Sequence, residues 1–375
     1  MADPALRRVL DALQARGGRA WLVGGAVRNA LLGEPVADID LATDATPDEV
    51  ARLATAAGLR AVPTGIDHGT VTLVADGRGF EVTTLRRDVE TDGRHAVVAF
   101  TTDLAEDAAR RDFTMNALYA DPSGAIIDPV GGLPDLAGRN LRFVGDPQAR
   151  IREDYLRILR FFRFLARYGR HADPAALAAC AALKDGLARI ARERIGAEMR
   201  KLLAAPDPGP AVALMAGTGV LPLILPGADP ARLGALLAAE RAANAPPSWP
   251  RRLASLAAAD PAGALRLSKA EARAQAALRQ AEGWTLDEAA YRLGAGPATD
   301  LALLRGLPLP EGWRARIARG ATSPLPISAA DLPGLQGPAI GRALKAAETA
   351  WIASGFALPA PALIDAAQLA AEETP

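Results

Sequence analysis

A chain of 375 residues with zero formal net charge, half of it hydrophobic, is long enough for two or three domains with substantial cores. Its single cysteine, Cys180 in the Ala/Leu-rich LAACAAL, excludes an internal disulfide and a cysteine-based metal site, and three scattered histidines make an imidazole cluster hard to assemble. No apolar run reaches membrane-spanning length, and the opening MADPALRRVLDALQARGG holds acidic residues and no apolar signal core, so a cytoplasmic protein without membrane attachment is expected.

A helix over about 4–16 comes first, then RAWLV as a strand and AVRNALLG as a short helix ending at Gly33. Gly24-Gly25 stands at that strand-to-helix turn, with Arg28 in the first turn of the helix. Glycines there let backbone N–H groups approach a phosphate, and a helix N-terminus adds partial positive charge. The pair lacks the spacing of a dinucleotide-binding loop, and a glycine pair serving only a tight turn is the competing reading.

Next, DIDLA reads as a strand carrying Asp38 and Asp40 on either side of Ile39. In an extended strand residues i and i+2 share a face, so two carboxylates repel unless a cation lies between them. With oxygen ligands the cation expected is Mg²⁺, or Mn²⁺ in its place. TPDEVARLATAAG then reads as a helix with Thr46 as its cap, Pro47 at its first position and Gly58 past its end. GTVTLVAD and GFEVTTLRR alternate as strands around the turn-like DGRG. Glu81 interrupts the second of them, as a third carboxylate for the same centre or as an ordinary exposed strand residue. An α+β head with a mixed or antiparallel sheet is expected over about 1–140.

From about 146 onward strands nearly vanish. REDYLRILRFFRFLARYG shows a wide apolar face at helical spacing, which predicts one helix with Asp154 and Arg157 as neighbours, Arg160 one turn on and Arg163 beyond. Such a basic helix is either a solvated or ion-paired surface, or a site in which an acceptor carboxylate beside a guanidinium fork imitates the edge of a complementary base. Ala-, Leu- and Arg-rich helices continue to the end, broken by proline segments that suggest boundaries near 206 and 247, giving a helical neck over 141–205 and a helical body and tail over 206–375. Charge is uneven: residues 1–138 carry 13 Lys/Arg against 21 Asp/Glu, and 139–201 carry 15 against 7. That asymmetry fits metal and phosphate chemistry beside a polyanion, or a salt-bridged interface.

LVGGAVRNALLG…DIDLAT, TGIDHGTV, FEVTTLRRD, DGRHA, RRDFTMNAL, DPVGGLPDL and REDYLRILRFFRF occur in the order seen in the class II tRNA nucleotidyltransferases, the CCA-adding enzymes, which share head and neck with bacterial poly(A) polymerases. The chain resembles that family from about 21 to 165, and more weakly to about 203. The resemblance implies a polymerase β-like head followed by all-α neck, body and tail, and addition of C and A from CTP and ATP to a tRNA 3′ end. Asp38 and Asp40 match the family's metal ligands, with Glu81 beside them. Gly24, Gly25 and Arg28 match its triphosphate-contacting turn. In RRDFTMNAL, Arg111 matches a phosphate-binding arginine, with a salt bridge to Asp107 as its alternative, while Asp112 and Asn116 match polar positions near the ribose and triphosphate. Asp154 and Arg157 match its base-selecting pair, with Arg160 and Arg163 steadying nucleotide or helix. Asn29 departs from the family's usual Asp, which puts an electrostatic restraint on Arg28 in doubt. TGIDHGTVTL stands where poly(A) polymerases typically carry an RRF-like segment.

Overall fold

A computed structural model describes residues 3–92 and 95–372. Gly93 and Arg94, within DGRHA, lie outside the described residues. The chain divides into two compact units, 1–224 and 225–375.

In the first unit, α1 (Pro4–Gln14) is followed by β1 (Ala20–Val23), α2 (Gly25–Leu32), β2 (Asp40–Thr43), α3 (Pro47–Ala56), β3 (Arg60–Gly65), β4 (Thr70–Ala75) and β5 (Arg78–Thr84). A separate hairpin, β6 (Arg86–Asp92) and β7 (His95–Phe100), precedes α4 (Leu104–Ala109), β8 (Tyr119–Ala120), β9 (Ile126–Ile127) and α5 (Gly132–Ala137). The main sheet has seven strands in the order β3-β4-β5-β2-β1-β8-β9. It is mixed, because β2 runs antiparallel to β1 and parallel to β5. One face packs on α1 and α3 through Leu6, Val9, Leu13, Leu41, Val50, Leu73 and Phe80. The other face is built from Trp21, Val23, Ala42, Leu85 and Tyr119. α3 begins as its sequence predicts, with Thr46 and Glu49 closing a capping box and Pro47 in the first turn.

The remainder of the unit is helical: α6 (Pro147–Glu153), α7 (Leu156–Tyr168), α8 (Pro174–Leu183), α9 (Arg192–Leu203), α10 (Gly209–Gly217) and α11 (Val220–Ile224), with a two-residue parallel pair, β10 (Asn140–Leu141) and β11 (His171–Ala172). The single helix expected through 152–169 is two. Asp154 is extended (φ −150°, ψ 107°), and its carboxylate accepts the Leu156 N–H (3.0 Å), a capping bond that starts α7 afresh. The Tyr155 ring at this junction occupies the space beside Gly186, where a Cβ would stand 2.0 Å from it. The apolar face of α7 fixes it to the head: Phe161 is fully buried, 5.7 Å from Phe143 and 6.2 Å from Phe113. Each such phenylalanine contributes roughly 1.5–3 kcal/mol by burial. Cys180 is buried in α8, its thiol pushed up to about 12 by burial, as suits a small core residue.

The proline-based boundary near 206 and the observed division differ, since α10 packs on α7 and belongs to the first unit. Among its described residues the second unit is helical, with no strand: α12 (Pro230–Ala242), α13 (Trp249–Ser255), α14 (Pro261–Ala264), α15 (Lys269–Gln280), α16 (Leu286–Leu293), α17 (Ala295–Leu304), α18 (Trp313–Ala321), α19 (Pro338–Ala353) and α20 (Ala360–Glu372), with a longer connection over 322–337. Its interior holds a buried ionic group in which Glu240 accepts from both Arg251 and Arg252 (2.7 and 2.8 Å). Among the described residues no helix is long and apolar enough to cross a membrane.

Candidate active site

The sheet register brings the glycine turn and the carboxylates to one place. Val23, the last residue of β1, pairs with Asp40, the first of β2, and Asp40 pairs on its other side with Glu81 of β5. Directly after Val23 the chain turns through Gly24 (φ 67°, ψ −121°), a conformation that only glycine adopts freely, and enters α2. Asp38 lies in the approach to β2 and not within the strand. It is nevertheless near enough to be felt: partial burial, then the Glu81 and Asp38 carboxylates, push the Asp40 carboxyl above its usual range, with Arg111 opposing.

This donor set is all oxygen. Among the described residues no three carboxylate, imidazole or thiol side chains are gathered to enclose an ion by themselves. A pair of neighbouring carboxylates, one of which, Asp40, has its proton affinity raised, suits Mg²⁺, which commonly takes one or two carboxylates and completes its shell with water and substrate phosphate.

Arg28 is the most telling cation. It is 6% exposed, and its guanidinium donates to Asn116 Oδ1 (2.5 Å), Asn29 Oδ1 (2.9 and 3.1 Å) and Tyr168 Oη (2.9 Å), while stacking on the Tyr168 ring at 3.9 Å. All of those acceptors are neutral. Burial lowers its proton affinity, and Tyr168 and Asp112 resist that. The uncharged Asn29 therefore does restrain Arg28, and its own amide donates to the Pro35 carbonyl (2.9 Å). A buried guanidinium satisfied by neutral oxygens keeps its charge for an anion.

Asn116 connects this cation to the next. Its amide donates to Asp112 Oδ1 (3.0 Å), and Asp112 Oδ2 accepts from Arg160 Nε (2.9 Å). Against the cost of burial, Arg160, Asn116 and the Phe113 N–H hold the Asp112 carboxyl down at about 2. Arg160 is thus committed to the head. Arg111 is ion-paired with Asp107 (2.9 Å), as its alternative reading held, and receives further support from Tyr119 Oη (3.0 Å). The pairing leaves its Nη1 over Gly24, where a Cβ would lie 3.6 Å away. Asp107, 1% exposed, also pairs with Arg110 (2.7 Å), and these partners outweigh burial to hold its carboxyl at about 2.

A cleft of about 320 Å³ is lined by Arg110, Arg111, Asp112, Asn116, Asp154, Leu156, Arg157, Arg160 and Arg194. It joins the Arg110–Asn116 segment of the head to the start of α7. Asp154 and Arg157 both line it, although Asp154 stands at the helix junction and not on a helical face with Arg157. Each is held by other partners: Asp154 by Arg194 (2.8 Å), and Arg157 by Glu153 (2.5 Å) and the Arg150 carbonyl (2.9 Å). Arg163 is directed elsewhere, to Glu198 on α9 (2.5 Å), and does not line the cleft. Sequence reasoning missed Arg194 and Tyr168, and had Asp107 only as the alternative partner of Arg111. Arg194 lies in RERIGAEMRKLL, 40 residues from its partner, and no local spacing signals the pair.

Comparison with known proteins is consistent with this geometry. The profile of the Poly A polymerase head domain matches residues 20–142, and that of the "Probable RNA and SrmB- binding site of polymerase A" matches 171–232. Human CCA tRNA nucleotidyltransferase 1, mitochondrial, is 48% identical over 187 residues, covering 48% of this chain and 43% of that protein. The CCA-adding enzyme of Geobacillus thermodenitrificans is 43% identical over 221 residues, 58% and 54% of the two chains. The matched region thus spans about half the length of these curated relatives. The solved structure of the Bacillus stearothermophilus CCA-adding enzyme in complex with CTP superposes with a TM-score of 0.73 at 30% identity, covering 94% of each chain.

Proposed function

The chain belongs to the family of CCA-adding enzymes and poly(A) polymerases built on this head domain, and from that premise we propose that it adds C, C and A to tRNA 3′ ends from CTP and ATP, releasing pyrophosphate, in the cytoplasm. The observation that carries the reading is the strand register Val23–Asp40–Glu81, which sets carboxylates beside the Gly24-Gly25 turn and the charge-bearing Arg28.

Asp38 and Asp40 are the residues to hold Mg²⁺ or Mn²⁺, with Glu81 adjusting the charge on Asp40. A bound divalent ion supplies charge neutralisation at the reacting phosphate and eases ionisation of the attacking hydroxyl. The chain's own residues do the rest. Arg28 and Arg111, with the backbone N–H groups at the start of α2, bind the triphosphate and stabilise the departing pyrophosphate. Asp112 and Asn116 orient the ribose side of the nucleotide. Asp154 accepts from, and Arg157 donates to, the edge of the incoming base, so that C and A are chosen without a nucleic-acid template. Arg160 holds α7 to the head through Asp112, and Arg163 holds it to α9. The head over 1–140 is catalytic, the neck over 141–205 selects the nucleotide, and the helical remainder grips tRNA through its backbone and shape.

Asp40→Ala tests the reading. It is expected to leave folding and tRNA affinity nearly intact and to abolish incorporation of labelled CTP; retained turnover would reject this metal site. Long A tracts on generic RNA without use of CTP would favour poly(A) addition.

A further inference from the structure

In the second unit, away from the carboxylate centre in sequence, α12, α13, α15 and α17 surround a hollow of about 480 Å³ that the reaction above does not use. Its floor is apolar: Leu253, Leu278 and Leu301 are each under a tenth exposed. Its rim carries three guanidinium groups, Arg232, Arg279 and Arg305, against one carboxylate, Glu282.

The way those arginines are held leaves their charge in place. Arg279 donates to the carbonyls of Ala258 (2.9 Å) and Ala259 (3.3 Å), and Arg305 to those of Glu282 (3.2 Å) and Trp284. Carbonyls fix a guanidinium without neutralising it. Only Arg232 faces the carboxylate, at 3.6 Å and with both side chains about half exposed or more, a pairing worth little in water. The wall adds a defined acceptor. The Gln275 amide nitrogen donates to the Pro250 carbonyl (2.8 Å), which identifies the atom opposite as oxygen, and among the described residues that oxygen has no donor.

An apolar floor, an excess of fixed positive charge and one free acceptor match a nucleotide: base on the leucines, phosphate on the arginines, an exocyclic amine on Gln275. The volume lies within the 300–1,000 Å³ usual for a small-ligand pocket. The matched RNA-binding region ends on Arg232 at this rim, which favours a nucleotide within a strand over a free one. We propose that this hollow is a second, non-catalytic nucleotide site that takes one unpaired, amine-bearing nucleotide (A, C or G, not U) of the RNA substrate. The proposal rests on the reading of the chain as an enzyme acting on RNA.

The test uses the full chain and fluorescence anisotropy with labelled tRNA. Arg232→Gln, at a half-exposed position, is expected to weaken tRNA affinity at least threefold and to lower the slope of log affinity against log salt by about 1, as loss of one phosphate contact requires. Ala254→Trp, which fills the hollow, is expected to weaken affinity similarly and to remove a preference for single-stranded oligo(A) or oligo(C) over oligo(U). Both are expected to keep the wild-type kcat at saturating tRNA and the wild-type KM for CTP. If both variants bind tRNA with unchanged affinity and salt slope, the assignment is overturned. It is equally overturned if AMP shifts the leucine methyl resonances of the hollow while tRNA affinity is indifferent to both variants, for the site then serves a free nucleotide. Wild-type protein that binds tRNA in this variant-sensitive way but never extends it would overturn the proposed reaction and leave the pocket standing.

Discussion

Arg28→Met separates the cost of burying a cation from its use. In the folded chain Arg28 is nearly inaccessible and donates only to the neutral oxygens of Asn29, Asn116 and Tyr168. Methionine restores apolar volume against the Tyr168 and Phe164 rings, which the guanidinium overlies at 3.9 and 5.3 Å. The lost hydrogen bonds are offset by removing a desolvated charge, so the net stability change is expected to stay within about 2 kcal/mol, a shift in Tm of roughly 4–8 °C for a unit of this size. Triphosphate binding has no such compensation. One charge-assisted hydrogen bond to phosphate is worth about 1.5–3 kcal/mol, which corresponds to a rise in KM for CTP of roughly 10- to 150-fold. Initial-rate kinetics with saturating tRNA and a thermal melt measure both quantities. A KM within threefold of wild type, or a large loss of stability with KM unchanged, would refute the reasoning.

The remaining expectations concern the acidic groups. In metal-free protein, Glu81→Gln removes one of the two negative neighbours that raise Asp40, so the Asp40 carboxyl is expected to titrate at lower pH by ¹³C NMR; no movement would show that Glu81 does not share its field. Asp107 titrates at about 2 in the folded chain against 3.8 ordinarily, so its contribution is present above about pH 4 and lost as pH falls towards 2. That difference corresponds to about 2 kcal/mol. Denaturant titrations are expected to show Asp107→Asn less stable than wild type at pH 6, with Arg110 and Arg111 left unpaired, and the gap narrowing by about that amount near pH 2. A constant gap would contradict the pairing.

Much of the head was legible because its signals are local. Thr46, Pro47 and Gly58 bound α3, and the GTVTLVAD and GFEVTTLRR alternation marks β4 and β5, because caps and pleats depend on near neighbours. The union of Gly24, Asp40 and Glu81 follows from strand register, which sequence suggests only through resemblance. The break at Asp154 was not legible: its apolar periodicity runs straight through, and the side-chain cap together with the seat for Tyr155 beside Gly186 overrides it. Partners such as Asp112–Arg160 and Asp154–Arg194 are 48 and 40 residues apart, and only the fold chooses among the many arginines available.

The central claim is tested most directly by incubating the purified protein and Mg²⁺ with tRNAs ending before, within and after the CC, supplying CTP and ATP, and resolving the 3′ ends to single nucleotides. Completion to CCA from each starting point is expected, C before A, with termination there. A product extended by A alone, or no extension of any of the three by protein that binds them, would contradict it.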